Sequence, residues 1–438
     1  MPARPVANER VLSFGAGPLR GEVRVAGDKS ISHRALMLAS LASGTSTIEL
    51  PNRGQDVLAT RDAVAALGAQ VDDRETTIVV NGGRLRDPEA TIDARNSGTT
   101  ARLLLGLCAG NGISARFDGD DSLRRRPMER VARPLRALGA QIETTGGRLP
   151  ANVRGVRMPS GAGYVLEVPS AQIKSAILLA NLNASGPVRI TGDRHSRDHT
   201  ERMLRHLGRD ITFDGRTIEL RPQTGDREQL GPVNPGRIRI PADLSAAAFF
   251  IVAAAITPGS DLLLSEVGVN PTRTGFLDAM AAMDADIEFH NRRDLDGEPV
   301  ADLRVRYRPL RATAIAGDLV VRAIDEIPIV AVAAAHSAGT TTVRDAAELR
   351  SKESDRIAVI METLRACGVE MVEHDDGFDV MGGGAHVPSR TLATHGDHRI
   401  AMAIAALAAP TGPHEIDDAD CITVSFPEFL KLWESAQR

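Results

Sequence analysis

Blocks of Ala, Leu, Ile and Val recur along this chain, and each is opened by a short polar stretch. "KSISHRALMLASLASGTSTIEL" starts at Lys29, "NSGTTARLLLGLCAGNGISARFDG" at Asn96 and "SAQIKSAILLANLNASGPVRITG" at Ser170. "DLSAAAFFIVAAAITPGSDLLLSEV" follows at Asp243, "DEIPIVAVAAAHSAGTTTVRDAAEL" at Asp325 and "DHRIAMAIAALAAPTGPHEIDDAD" at Asp397. The starts are about 67 to 82 residues apart, a spacing that signals internal repetition. Each block reads as a helix, then Gly or Pro, then a β-rich segment. The helix is apolar nearly all round and should therefore be buried. A second, amphipathic helix follows most copies and runs into a short strand, as in "AVAALGAQV", "PLRALGAQI", "MLRHLGRDI", "AMAAMDADI" and "TLRACGVEM". Gly68, Gly139, Gly208 and Gly368 stand just past these helices, where a left-handed backbone is needed.

The pattern predicts six β/α units with buried helices inside and sheets outside, the inverse of a doubly wound sheet. Three units per domain is the natural split, with the crossing near "RIRIPADLS" around Pro241. The opening segment "LSFGAGPLRGEVRVAG" precedes the first unit and is free, on sequence alone, to pair with either half.

Composition narrows the function. The chain has 438 residues, 42% hydrophobic, 25% charged and 3% aromatic, with a net charge of −5. Large aliphatic cores are affordable at this composition. A net negative chain lacks the broad basic surface that nucleic acids require, although a local basic pocket is allowed. Cys108, Cys367 and Cys421 stand far apart with no CxxC pair, so no disulfide framework or zinc site is expected, and each reads as a small buried hydrophobe. Met1 to Arg20 lack the apolar stretch of a signal peptide. The longest apolar run, Ala246 to Ile256, is shorter than the ~20 residues that span a bilayer. A cytoplasmic protein with no membrane partner is expected.

The polar starts carry the candidate chemistry. A helix N-terminus presents unsatisfied N–H groups and a positive dipole end, and so favours anions. Ser30, Ser32, Ser97, Thr99 and Ser170 read as N-caps when each is taken alone. Capping leaves the cations unexplained. Lys29, Arg34, Arg126, Lys174, Arg197, Lys352, Arg356 and Arg399 lie at or just beyond predicted helix starts, where a cation opposes the dipole. Repeated at so many starts, they point to phosphate and carboxylate binding. "GDKS" is not a Walker A loop, because Asp28 separates Gly27 from Lys29 and the required form is GxxxxGK[ST]. Acids join the cations at "AIDEIP", with Asp325 and Glu326, and at "SKESDR", with Lys352, Glu353, Asp355 and Arg356. A carboxylate among cations can accept a proton while a nearby lysine donates one.

With these residues in view, the chain resembles the 5-enolpyruvylshikimate-3-phosphate (EPSP) synthase family. The matching segments, in order, are "GDKSISHR", "RNSGTTARLL", "GDDSLRRRPM", "SAQIKSA", "SRDHTERML", "DEIP", "KESDR" and "GDHRIAMA". "GDKS", "SAQIK", "RDHTE" and "NPTR" (Asn270 to Arg273) resemble the class II branch, some of whose members tolerate glyphosate. The resemblance implies a two-domain inside-out α/β barrel, with repeats one to three in residues 28–240 and repeats four to six in 1–27 plus 241–438. The crossovers would lie near 27 and 240, and the domains would close on substrate. It implies transfer of the enolpyruvyl group of phosphoenolpyruvate to the 5-hydroxyl of shikimate 3-phosphate, with release of phosphate, on the way to chorismate and aromatic amino acids. No metal or organic cofactor is implied, and a monomer is expected.

Carried over motif by motif, the resemblance implies that Lys29, Ser30 and Arg34 contact shikimate 3-phosphate, Lys29 touching phosphoenolpyruvate as well. Asn96 and Gly98 would approach phosphoenolpyruvate, Gly98 allowing close backbone contact, and Arg126 would bind it. Ser170, Ala171, Gln172, Ser196 and Arg197 would hold the substrate phosphate, with Gln172 reaching both substrates. Asp325 would take the 5-hydroxyl proton, Lys352 would contact shikimate 3-phosphate, and Glu353 would share in proton transfer with Asp325 and Lys29. Arg356 and Arg399 would complete the phosphoenolpyruvate site.

Departures are visible. Val424 stands where some members carry a lysine, removing one cation from the phosphoenolpyruvate side. His199 replaces a Tyr and reads as structural. Gly98 points to inhibition by glyphosate, whereas the class II marks point to tolerance. UDP-N-acetylglucosamine enolpyruvyl transferase is the nearest alternative, with Asp121 at the place of its usual reactive Cys. A non-catalytic repeat scaffold that binds polyanions is the alternative of another class.

Overall fold

The computed structural model describes residues 11–156, 163–223, 233 and 236–438; residues 1–10, included in the sequence-based domain assignment, lie outside them. The chain divides into two compact units. One comprises Gly27–Pro241 with Asp294–Pro299. The other comprises the N-terminal segment through Ala26, Ala242–Arg293 and Val300–Arg438. They are called here the first and second unit.

Each unit is built on three buried helices. In the first unit these are α1 (Lys29–Leu41), α2 (Gly98–Gly110) and α3 (Ala171–Ala180). In the second they are α4 (Leu244–Ile256), α5 (Ile327–Ala335) and α6 (His398–Thr411). Every residue of α4 and of α5 is buried, as expected of helices with no polar face. Each unit has its own apolar cluster built around its three helices.

The sheets follow one rule. A strand before the buried helix runs parallel to the strand after it, and the latter then pairs antiparallel with a further strand. Ile92–Asp93 and Ala115–Asp118 flank α2 in this way, and Gly163–Val165 and Val188–Thr191 flank α3. Ala314–Ile315 and Thr340–Val343 flank α5. For α1 the parallel partner of Gly44–Glu49 is Arg237–Arg239, the strand just before the chain leaves the unit. The second unit mirrors this: Arg20–Val23 runs parallel to Asp261–Gly268, and Leu12–Phe14 pairs antiparallel with His414–Ile416. The opening segment, left open by the sequence, thus belongs to the second unit.

The outer helices end as their glycines require. Gly68, Gly139, Gly208 and Gly368 all have left-handed φ, and Asp284 takes the equivalent place in "AMAAMDADI" at φ 63°. The closest helix contact is between α2 and α3. A Cβ on Gly106 would lie 2.3 Å from Ala176 O, and one on Gly110 would lie 1.6 Å from Ala180 O. Two glycines one turn apart therefore let the backbones touch, which sets the polar ends of α2 and α3 side by side. All three cysteines are free and buried. No helix among the described residues is long and apolar enough to cross a membrane.

Candidate active site

The expected site residues are divided between the units, and each half is built on helix starts. In the first unit, Asp28 caps α1 by accepting from Ile31 N (2.9 Å), Ser97 caps α2 by accepting from Thr100 N (3.1 Å), and Ser170 caps α3 by accepting from Ile173 N (3.4 Å). Ser30, Ser32 and Thr99 lie inside helices rather than at caps. The acid Asp28 takes the α1 cap, and Ser32 Oγ instead donates to Asp28 O (2.7 Å) and accepts from Asn52 N (2.9 Å).

Lys29 Nζ pairs with Asp56 Oδ2 at 3.0 Å. His33 is fully buried, and burial, together with Lys29 and Arg34, holds its pKa well below the ordinary 6.5. Its Nδ1 bonds Thr60 Oγ1 (2.7 Å), which bonds Thr100 Oγ1 (2.6 Å), which in turn donates to the cap Ser97 Oγ (2.7 Å). A buried polar chain therefore runs from "SHR" to "NSGTT". Arg34 is also buried. It donates to Thr200 Oγ1, Ser30 O and Ser175 Oγ at 2.7 to 2.8 Å, and burial pushes its guanidinium down to about 10 against the opposing pull of Glu201 and Asp28.

Arg126 sits not at a helix start but in extended backbone after the short helix Asp121–Arg125. It donates to Asn96 Oδ1 (2.7 Å) and Asn96 O (3.3 Å), so these two expected phosphoenolpyruvate residues are joined. Gln172 accepts from Arg102 Nη1 (3.1 Å) and donates to Thr99 Oγ1 (3.4 Å). Arg102 also donates to Pro127 O (3.0 Å), and a Cβ on Gly98 would meet its Nη1 at 2.7 Å. Asn96 and Arg126 thus form one pair, and Arg102, beside Gly98, links Gln172 to the backbone of Pro127.

Lys174 departs from the anion-binding expectation. Its ammonium is 1% exposed, and it contacts Asp193 Oδ2 (2.8 Å), Glu201 Oε1 (2.9 Å) and Ser196 O (2.9 Å). Its charge is thus already matched by two buried carboxylates. Burial alone would lower its pKa, but the two carboxylates outweigh that and raise it. Ser196 Oγ is buried with no partner among the described residues. His199, also buried, is held through Nδ1 by Glu298 Oε1 at 2.8 Å.

In the second unit the expected residues converge on Arg356. Its Nε donates to Asp397 Oδ2 (2.8 Å) and its Nη2 to Glu353 Oε2 (2.6 Å), while Nη1 lies 3.6 Å from Asp325 Oδ1. Lys352 Nζ lies 3.5 Å from the same Asp325 oxygen and 2.9 Å from Glu348 Oε1. It follows the short 3-10 helix Ala347–Ser351 and does not open a helix. Arg399 Nη1 donates to Asp325 O at 3.0 Å. Burial would weaken the Arg356 cation, but Asp397, Glu353 and Asp325 raise its pKa above the ordinary 12.5. Asp397 caps α6 by accepting from Arg399 N (2.9 Å), and Arg356 holds its carboxyl below the ordinary 3.8 although burial alone would raise it.

Asp56, Arg102 and Asp397 are absent from the sequence-based set, although they partner its members. A signal existed for Asp397: "GDHR" repeats the Gly-Asp opening of "GDKS", and both aspartates cap a buried helix. Among the described residues, no three His, Cys, Asp or Glu side chains gather as metal ligands.

The first unit sets Lys29 and polar side chains at its helix starts, and the second gathers Arg356, Arg399 and Lys352 about one carboxylate cluster. The model of the family described as EPSP synthase (3-phosphoshikimate 1-carboxyvinyltransferase) matches residues 15–433. The chain belongs to the EPSP synthase family. It is 50% identical to the 3-phosphoshikimate 1-carboxyvinyltransferase of Gloeobacter violaceus over 422 residues, covering 94% of this chain and 95% of that one. An EPSP synthase structure from Acinetobacter baumannii matches with a TM-score of 0.84 at 38% identity, covering 98% of both chains. The enolpyruvyl transferase NikO from Streptomyces tendae shares the fold, with a TM-score of 0.76 at 19% identity and 98% coverage of both. The architecture is the two-domain inside-out α/β barrel of EPSP synthases.

Proposed function

We infer that this chain transfers the 1-carboxyvinyl group of phosphoenolpyruvate to the 5-hydroxyl of shikimate 3-phosphate, releasing phosphate. The observation that carries the reading is the grouping of Asp325, Lys352, Glu353 and Arg356 in a chain that matches the family over nearly its whole length. A polyanion-binding scaffold has no need of that group.

The chemistry assigns the roles. The 5-oxygen attacks C2 of phosphoenolpyruvate while its proton passes to Asp325. C3 gains a proton from Lys29 or Glu353, which gives a tetrahedral intermediate. Loss of a proton from C3 and cleavage of the C2–O bond to phosphate then yield the vinyl ether and inorganic phosphate. Asp325 is suited to the first step because Lys352 and Arg356 flank one of its oxygens and favour the ionised form. Glu353 is oriented by Arg356.

The remaining residues bind and orient. Ser30, Arg34, Ser170, Ala171, Gln172, Ser196, Arg197 and Lys352 hold shikimate 3-phosphate, and the buried Ser196 hydroxyl suits a phosphate oxygen. Asn96, Gly98, Arg126, Arg356 and Arg399, with Lys29 and Gln172, hold phosphoenolpyruvate. Arg356, already engaged by three carboxylates, serves as much to orient Asp325 and Glu353 as to bind substrate. The enzyme acts as a cytoplasmic monomer on these two small molecules, with no cofactor.

The test is phosphorus NMR of the protein with phosphoenolpyruvate and one acceptor. The reading predicts free phosphate and a new vinyl ether with shikimate 3-phosphate and neither with UDP-N-acetylglucosamine. The reverse pattern would assign the chain to the sister enzyme.

A further inference from the structure

We propose that Lys174 is a positioning residue that sets the affinity for the phosphorylated acceptor by holding the Ser196–Arg197 segment, without touching substrate itself. The proposal rests on the function inferred above and adds a residue to it. Segment Asp193–Asp198 is a loop between the strand Val188–Thr191 and the helix His199–His206. His195 within it has a left-handed φ of 56°, a conformation that a non-glycine residue keeps only when its surroundings impose it. The loop's anchors to other backbone are Asp193 N to Arg216 O (3.3 Å) and His195 N to Gly215 O (3.0 Å). Ser196, next to the left-handed residue, is fixed differently. Its N–H donates to Asp193 Oδ1 (3.3 Å) and its carbonyl accepts from Lys174 Nζ (2.9 Å).

Lys174 therefore grips the loop twice, through Ser196 O and through the Asp193 carboxylate that receives Ser196 N–H. Its third contact, Glu201, lies in the helix that follows the loop. Two of the contacts, to Asp193 Oδ2 and Ser196 O, are hydrogen bonds that aim the ammonium at the loop, and Glu201 adds an ion pair. Lys174 is also one turn into α3, whose N-terminal residues Ser170, Ala171 and Gln172 are the other part of the proposed phosphate site. Its backbone N–H donates to Ser170 O at 3.2 Å. One side chain thus ties the two phosphate-binding segments to a common frame. Asp193 and Glu201 both lie within 2.9 Å of the ammonium, so without it two buried acids lose their cation and the loop loses its tie to Ser196 O.

Steady-state kinetics on the full chain test this, with KM measured separately for each substrate and the unfolding midpoint measured in parallel. Lys174→Met is expected to raise KM for shikimate 3-phosphate by about tenfold or more, because small displacements of binding groups have large kinetic effects. KM for phosphoenolpyruvate should stay within about threefold. Lys174→Arg, which keeps the charge, should recover part of the loss. If Lys174→Met does not fold, Asp193→Asn serves: it keeps an acceptor for Ser196 N–H, removes one charge facing Lys174, and should show the same selective rise. A lowered unfolding midpoint with wild-type KM values, or equal rises for both substrates, would overturn the proposal and leave the assigned function intact. A wild-type protein that does not use shikimate 3-phosphate would overturn the function itself.

Discussion

Arg356 Nε lies 2.8 Å from Asp397 Oδ2, and neither side chain is more than 2% exposed. The same carboxylate caps α6, so one aspartate fixes both a helix end and the guanidinium that faces Asp325 and Glu353. Removing one member of a buried pair leaves the other charge uncompensated, at a cost of about 3–5 kcal/mol. Asp397→Ala should lower the denaturation midpoint accordingly and reduce kcat. Asp397→Asn, which keeps the cap acceptor, should fall between it and wild type. Because the folded carboxyl titrates below 3.8, its contribution is full above that pH and is lost as pH falls through the lower folded value. The stability difference between wild type and Asp397→Asn should therefore shrink below about pH 4.

Gly98 and Arg102 make a second sensitive contact. An added methyl at Gly98 would lie 2.7 Å from Arg102 Nη1, which donates to Gln172. The guanidinium must shift, and its 3.1 Å bond to Gln172 is already near the long end of the range, so it is lost or Gln172 is drawn after it. Gly98→Ala should raise KM for phosphoenolpyruvate about tenfold while the unfolding midpoint changes little. Separate KM measurements for the two substrates would check this.

Gly110 has no flexible neighbour to yield. Its added methyl would overlap Ala180 O at 1.6 Å, so α2 and α3 must separate. Overpacking of this kind costs about 1–3 kcal/mol, occasionally more. Gly110→Ala should show that loss in a denaturant titration.

His336 supplies a pH dependence of its own. Burial, with a smaller push from His414, lowers its pKa from 6.5 to about 4. A histidine buried in its neutral form stabilises the fold above its unfolded value, and that contribution is lost as pH falls from 6.5 toward about 4. The loss is on the order of 2–3 kcal/mol. Denaturation midpoints between pH 7 and 4 should fall less steeply for His336→Gln than for wild type.

The helical repeats were legible because their signal is local. A helix apolar on every side, as in α4 and α5, has no arrangement but burial, and Gly68 or Gly368 marks where an outer helix must end. Capping was only half legible. Ser97 and Ser170 cap as their positions suggest, but Asp28 displaces Ser30 and Ser32 because it stands nearer the first turn. Lys174 misled because a cation at a helix start looks the same in sequence whether it awaits a ligand or a buried carboxylate. Its partners Asp193 and Glu201 lie 19 and 27 residues away by their numbering, and only folding brings them to it. Arg102 and Asp397 were missed for the same reason: their partners Gln172 and Arg356 lie 70 and 41 residues away.

The central claim is that Asp325 takes the proton from the acceptor hydroxyl. The direct measurement is phosphate release from phosphoenolpyruvate with shikimate 3-phosphate, compared between wild type and Asp325→Ala at matched stability. General base catalysis contributes about 10²–10⁴ in rate. A loss of that size in kcat, with both KM values changed far less, is expected. Release from Asp325→Ala at near the wild-type rate would contradict it.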